Sequence, residues 1–148
     1  TIINMDIPEY ISKKEVQRVC QELGIRDWTE LPDGKVTLSE AKIIQQAVGG
    51  ETEQISSVDF QRGLEVELEH GTQFPDANVT NNHPLLTGMI VLAHLKEMLD
   101  YYSRLEVAEL EGDLLKAFRA VNPDKLYKKY KLLLQARADL MGKETSQD

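Results

Sequence analysis

The sequence predicts an all-α fold, a single-domain bundle of about six helices around a buried helix over residues 84–102. Three observations carry this prediction. A helix-capping signature occurs three times in the first 60 residues, each time followed by glycine about one helix length later. The stretch Pro84–Tyr102, PLLTGMIVLAHLKEMLDYY, is apolar on nearly every side over its first two-thirds, the pattern of a helix packed on several faces. The five prolines and nine glycines are few and sit at junctions, as in helical proteins with short loops.

The three capping signatures are Ile11-Ser12-Lys13-Lys14-Glu15, Val36-Thr37-Leu38-Ser39-Glu40 and Ile55-Ser56-Ser57-Val58-Asp59. The first two read as capping boxes, in which the hydroxyl accepts the N3 amide and the Glu reaches back to the cap amide. The third carries the shorter Asp at N3. Each preceding apolar residue is placed to pack onto the fourth helical position: Val16, Ala41 or Phe60. Helices are expected over 13–23, 38–48 and 57–70, stopped by Gly24, Gly49-Gly50 and Gly71. Asp33-Gly34-Lys35-Val36 with Glu40 resembles half of a calcium-binding loop. The loop-start positions, however, hold Thr29 and Leu31 where Asp or Asn is required, so a turn at Pro32-Asp33-Gly34 is expected instead.

Gly71–His83 reads as a polar connection, long for a helix–helix loop, with Asn82 or His83 capping the next helix. Proline at position 84 suits the first helical position. Eleven residues, Leu85–Leu95, are too few to span a bilayer, which needs ~20. After Tyr102, an apolar set of Leu105, Leu110, Leu114, Leu115, Phe118 and Val121 continues the helical spacing, with Gly112 a candidate break. Asn122-Pro123 restarts a helix that Leu126, Tyr130, Leu133, Leu134 and Ala138 mark as far as Gly142, and a frayed tail follows. Three regions are expected within one compact domain: 1–56, a core over 57–105, and C-terminal helices over 106–148.

Composition narrows the function. A net charge of −8 argues against nucleic-acid binding and against anionic membranes. The single Cys20 excludes an internal disulfide. No signal-peptide h-region is visible, and a cytoplasmic location is expected. Lys125, Lys128, Lys129, Lys131 and Arg137 make the last helix basic, while residues 51–70 are acidic. Such runs are solvated faces or else docking surfaces for a protein partner or another copy.

One stripe of the 84–102 helix is not apolar. Ile90, His94, Glu97 and Tyr101 fall within ~60° of one another at 3.6 residues per turn. On the preceding helix, Glu67 and His70 form Glu-x-x-His, the spacing used by carboxylate-bridged metal bundles. An antiparallel pair of these helices sets Glu67 and His70 opposite His94 and Glu97, a ligand set suited to iron, manganese or zinc, with Tyr101 placed to ligate or to hydrogen-bond a ligand. Structural hydrogen bonding among the same groups is the competing reading. Asp100 is rotated ~120° away and is expected to be a cap or surface acid. No nucleophile–base arrangement is evident, and no reaction or substrate follows from the residues.

Val66-Glu67-Leu68-Glu69-His70-Gly71, Asn78-Val79-Thr80-Asn81, and Ala93-His94-Leu95-Lys96-Glu97 with Asp100-Tyr101-Tyr102 together resemble the signature of a family of small bacterial and phage proteins of unknown function. The resemblance covers roughly residues 57–105. It implies a helical fold and attention to these same residues, with an acid in relatives at position 83 and a proline at position 99. Two functions stay open: a metal-binding helical protein, or a non-catalytic structural or assembly module, with a phage virion as one setting.

Overall fold

A computed structural model describes residues 5–146, the Glu53 side chain excepted. Among these residues the chain is all helical, with six α-helices and no strand. They are α1 (Lys13–Leu23), α2 (Leu38–Val48), α3 (Ser57–Gln73), α4 (Pro84–Glu97), α5 (Tyr101–Arg119) and α6 (Pro123–Ser146). Short 3-10 turns at Gly50–Gln54 and Pro75–Ala77 precede α3 and follow it. The chain divides into two compact units, Thr1–Ala93 and His94–Asp148.

In the first unit the cap residues start the helices where the sequence places them. Ser12, Thr37 and Ser56 each accept the amide three residues on. Only Thr37–Glu40 closes a full box. Glu15 instead pairs with Arg18 at 2.6 Å, so its cap is one-sided. Gly24 ends α1 with a left-handed φ of 71°, as its lack of Cβ allows. Buried Val16, Val19, Cys20, Trp28, Ala41, Ile44, Phe60, Leu64 and Val91 form the apolar interior of this unit. At Gly88 an added Cβ would lie 2.9 Å from Ile44 Cγ2 and 3.0 Å from Val48 Cγ2, so glycine lets α4 approach α2 closely. A polar clamp closes the α2–α3 connection: the Gln45 amide donates to the Thr52 and Ile55 carbonyls and accepts from Ser57 Oγ. Asp33 Oδ1 accepts the Lys35 amide, the turn expected at Pro32-Asp33-Gly34.

Several expectations are corrected. Helix α3 runs through Gly71 to Gln73, because this glycine serves close packing rather than a stop. The 84–102 stretch is two helices, not one. The Tyr101 amide turns back to the Met98 carbonyl, and α5 begins on the far side of Asp100. Asp100 holds the N-cap position of α5, without a side-chain cap bond, but it is buried rather than a surface acid and takes a two-pronged contact from Arg104 Nε (3.0 Å) and Nη2 (2.9 Å). Helix α4 buries Pro84, Thr87, Gly88, Val91 and Leu95 but leaves Met89 and Ile90 exposed, so it is one-sided despite its composition. Helix α5 passes Gly112 without a break, and α6 passes Gly142 to Ser146. Residues 147 and 148 of the expected frayed tail lie outside the described residues.

The second unit is an antiparallel hairpin of α5 and α6. Leu110, Leu133 and Ala136 form its buried seam, with Val107 and Leu114 packed against them. Asn122 caps α6 by accepting the Lys125 amide, as its place before Pro123 predicts. Lys129–Asp113 (2.9 Å) and Arg104–Glu144 (3.1 Å) cross the seam.

Glu40 is a heavily engaged carboxylate. It is 5% exposed and accepts from Arg26 Nη2 (2.7 Å), Trp28 Nε1 (3.1 Å) and the Thr37 amide (3.0 Å). Burial alone would raise its pKa, but the Arg26, Thr37 and Trp28 donors outweigh burial and hold it at about 2. A carboxyl depressed in the folded state stabilises above its unfolded pKa, and that stability is lost as pH falls through the folded value. Glu40→Gln is therefore expected to cost on the order of 2 kcal/mol at pH 7. In urea unfolding the gap between variant and native protein should narrow as pH falls from about 4.5 towards about 2. A gap that stays constant with pH would show that the carboxylate charge is not what stabilises.

Candidate functional site

Glu67 and His70 face one way on α3, because residues three apart share a helix face. They line a cavity of about 290 Å³ whose other walls include Phe74, Asn78, Asn82 and Ile90. The far end of the cavity is shaped by a polar lock. The Asn78 amide donates to Asn82 Oδ1 (2.9 Å) and to the Gly71 carbonyl (3.3 Å), and Asn82 Nδ2 donates to the Trp28 carbonyl (3.2 Å). Asn81 donates to the Ile11 carbonyl and to Glu9, tying in the segment ahead of α1. Asn81 and Asn82 both hold left-handed backbones, φ 49° and 63°, which asparagine tolerates better than most residues.

His83 is buried, and its Nδ1 accepts the Leu85 and Leu86 amides at 3.2 and 3.3 Å, which makes it the cap of α4. Burial pushes its imidazole below the usual range, against the pull of Glu15. An N-cap needs an acceptor, and the ring nitrogen supplies it here.

In the second unit His94 stacks on Tyr101, with ring centroids 4.1 Å apart and planes 9° from parallel. Tyr102 meets both rings edge-on, at 6.1 and 5.0 Å. The expected proximity of His94 and Tyr101 therefore holds, although the helix between them is broken. Glu97 is exposed at the end of α4. The four ligands of the expected metal set divide two and two: Glu67 and His70 in the first unit, His94 and Glu97 in the second. Among the described residues no group of three or more His, Cys, Asp or Glu is gathered to hold a metal ion. Sequence reasoning missed the Gly71–Asn78–Asn82 lock. Its signal was present as a glycine beside the helix end and paired asparagines in the connection that follows.

Fold and site define an all-helical protein with a polar lock beside a small cavity. The chain belongs to the family described as Protein of unknown function (DUF5661), whose profile matches residues 16–111. That span holds α2, α3, α4 and most of α1, and it ends inside α5, so α6 lies beyond it. No curated protein and no solved structure matches the chain.

At Gly71 an added Cβ would lie 2.6 Å from Asn82 Oδ1 and 3.0 Å from Asn78 Nδ2. Helix propensity alone predicts that Gly71→Ala stabilises by up to ~1 kcal/mol. We expect the opposite sign, a loss of about 1–2 kcal/mol from the forced separation of the asparagine pair. Urea unfolding reads the sign, and amide exchange across residues 78–83 should accelerate. A stabilised variant would mean that the lock is slack.

Proposed function

We propose that the protein is a non-catalytic assembly or interaction module whose α5–α6 hairpin is the docking element. The observation that supports this is the amount of large apolar surface the hairpin leaves in water. Phe118 is 69% exposed, Tyr127 68%, Met141 65% and Leu134 48%, while the hairpin's own seam is already filled by other residues. Large apolar surface left in water marks interaction sites on soluble proteins. Val121, at the hairpin turn, adds to the case. Its backbone is left-handed (φ 52°) and its side chain is 84% exposed. A β-branched residue in that conformation costs about 1–2 kcal/mol, and burial does not repay it.

The second reading is a metal centre using Glu67, His70, His94 and Glu97 with iron, manganese or zinc, and Tyr101 beside His94. It is favoured by the Glu67–His70 pair standing together on a cavity wall. A bacterial or phage setting, with virion assembly as one case, belongs to the docking reading and rests on the family resemblance.

Two measurements separate the readings. Leu133→Ala, in the seam, is expected to lower stability by about 2–4 kcal/mol. Phe118→Ser with Leu134→Ser is expected to change the stability of the dilute protein by less than about 0.5 kcal/mol, since surface positions away from packing are near neutral. Elemental analysis of the native protein beside His70→Ala/His94→Ala is expected to find no stoichiometric metal in either. A near-stoichiometric metal lost from a folded double variant would favour the metal centre. Serine variants that unfold the hairpin would show the apolar face to be part of the fold.

A further inference from the structure

We propose that His83 is an acid-operated latch on the start of α4. Protonation of its Nδ1 removes the acceptor of the Leu85 and Leu86 amides and frees the 78–83 connection from the wall of the neighbouring cavity. The inference concerns the first unit alone and is independent of the docking role proposed for the hairpin.

The kind of cap is what sets α4 apart. Ser12, Thr37, Ser56 and Asn122 start their helices with an oxygen, which accepts throughout the neutral and mildly acid range. Helix α4 starts on an imidazole nitrogen. Nδ1 receives the Leu85 amide at 3.2 Å and the Leu86 amide at 3.3 Å, so the neutral ring carries its proton on Nε2. A second proton has only Nδ1 to go to, where it meets those two amide donors. It also adds positive charge at the positive end of the α4 dipole. Little water reaches the ring to relieve the conflict, since His83 is 8% exposed.

The charged groups that bear on the ring come from α1. Glu15 favours the cation and Arg18 opposes it, and the two are engaged with each other at 2.6 Å. Along α4 no charged side chain follows until His94, three turns on. The connection before it, residues 78–82, brings only asparagine, valine and threonine. On α3, Glu67 and His70 share the cavity with Asn82 and Thr87. Burial prevails and holds the imidazole below its usual value. The opened cap therefore binds the proton better than the closed one. Closure is fully favoured above the ordinary imidazole value of about 6.5 and weakens as pH falls below it.

The cap is tied to its surroundings on both sides. The His83 amide donates to the Thr80 carbonyl (3.0 Å), and the His83 carbonyl accepts the Thr87 amide (2.9 Å) and hydroxyl (2.7 Å). Beside it, Asn82 reaches the Trp28 carbonyl and Asn81 the Ile11 carbonyl. Thr80, Asn82, Thr87 and Ile90 all wall the cavity that Glu67 and His70 line. Unwinding the first turn of α4 thus shifts the cavity wall and slackens the asparagine lock, while the apolar interior around Trp28 and Phe60 stays packed.

The test is amide exchange of the full chain by NMR from pH 7.5 to 4.5, corrected for the intrinsic pH dependence of exchange. Protection at Leu85, Leu86 and Thr87 and across 78–83 is expected to fall by up to about tenfold per pH unit below about pH 6.5, while α2 keeps its own. His83→Asn keeps a side-chain acceptor and does not titrate, and it is expected to hold that protection constant. His70→Ala with His94→Ala should leave the fall in place. Native protection that does not fall, or that falls equally across α1 and α2, overturns the latch. So does a fall that survives in His83→Asn. If the asparagine variant does not fold, the native ring decides. Its signals and the Leu85 and Leu86 amide shifts are expected to move together, with a midpoint below about 6.5. A higher midpoint, or amides that do not follow the ring, overturns the proposal.

Discussion

The first unit depends on one buried carboxylate. Glu40 closes the capping box of α2, holds the Trp28 indole in the core and receives Arg26, which itself reaches the Lys35 carbonyl. The Trp28 carbonyl in turn accepts Asn82, and Asn82 accepts from Asn78 against Gly71. One polar chain thus links the start of α2, the loop before it, the end of α3 and the connection into α4. Apolar burial supplies most of the stabilisation in any domain of this size, but it is non-directional. The buried hydrogen bonds fix which loop meets which helix, because leaving any one of them unmade costs the full desolvation of its group.

The hairpin is organised differently. It has a narrow seam of Leu110, Leu133 and Ala136, and it is tied by ion pairs that remain partly in water. Such pairs contribute little each. A two-helix seam buries little apolar surface for its length, so a hairpin with further apolar residues on an open face gains by covering them. The family profile ends at residue 111, within α5, so the docking role assigned to this hairpin is read from this chain's own residues. The family and the hairpin thus point to different parts of the molecule. The family's matched segment contains the asparagine lock and the Glu67–His70 cavity, while the exposed apolar face lies largely outside it.

Much of the fold was legible in the sequence because it is governed by local rules. The starts of α1, α2 and α3 follow from hydroxyl caps, and the start of α6 from Asn122-Pro123. The C-termini at Gly24 and Gly49 follow from backbone freedom. Three of the errors share one cause. Gly71, Gly112 and Gly142 were read as stops or breaks, yet glycine ends a helix only where the chain adopts a left-handed turn, and none of the three does so. The break at residues 98–100 was missed because continuous apolar character hid Asp100 and Arg104, an acid and a base four apart that open α5. The candidate site was legible only in part. His94 and Tyr101 do meet, whereas the asparagine lock depends on residues four to eleven positions apart folding back over one glycine.

The sequence by itself determined the helical class, most helix starts and the residues that deserve experiment, because caps, periodicity and proline act over a single turn. Tertiary structure alone decided three further points. Gly71 and Gly88 serve close approach rather than termination. Glu40 is a shared acceptor for Arg26, Trp28 and Thr37. The apolar residues of α5 and α6 divide into a buried seam and an open face. Each of these depends on what stands across from a residue in space, and helical spacing says which residues share a face but not what that face meets.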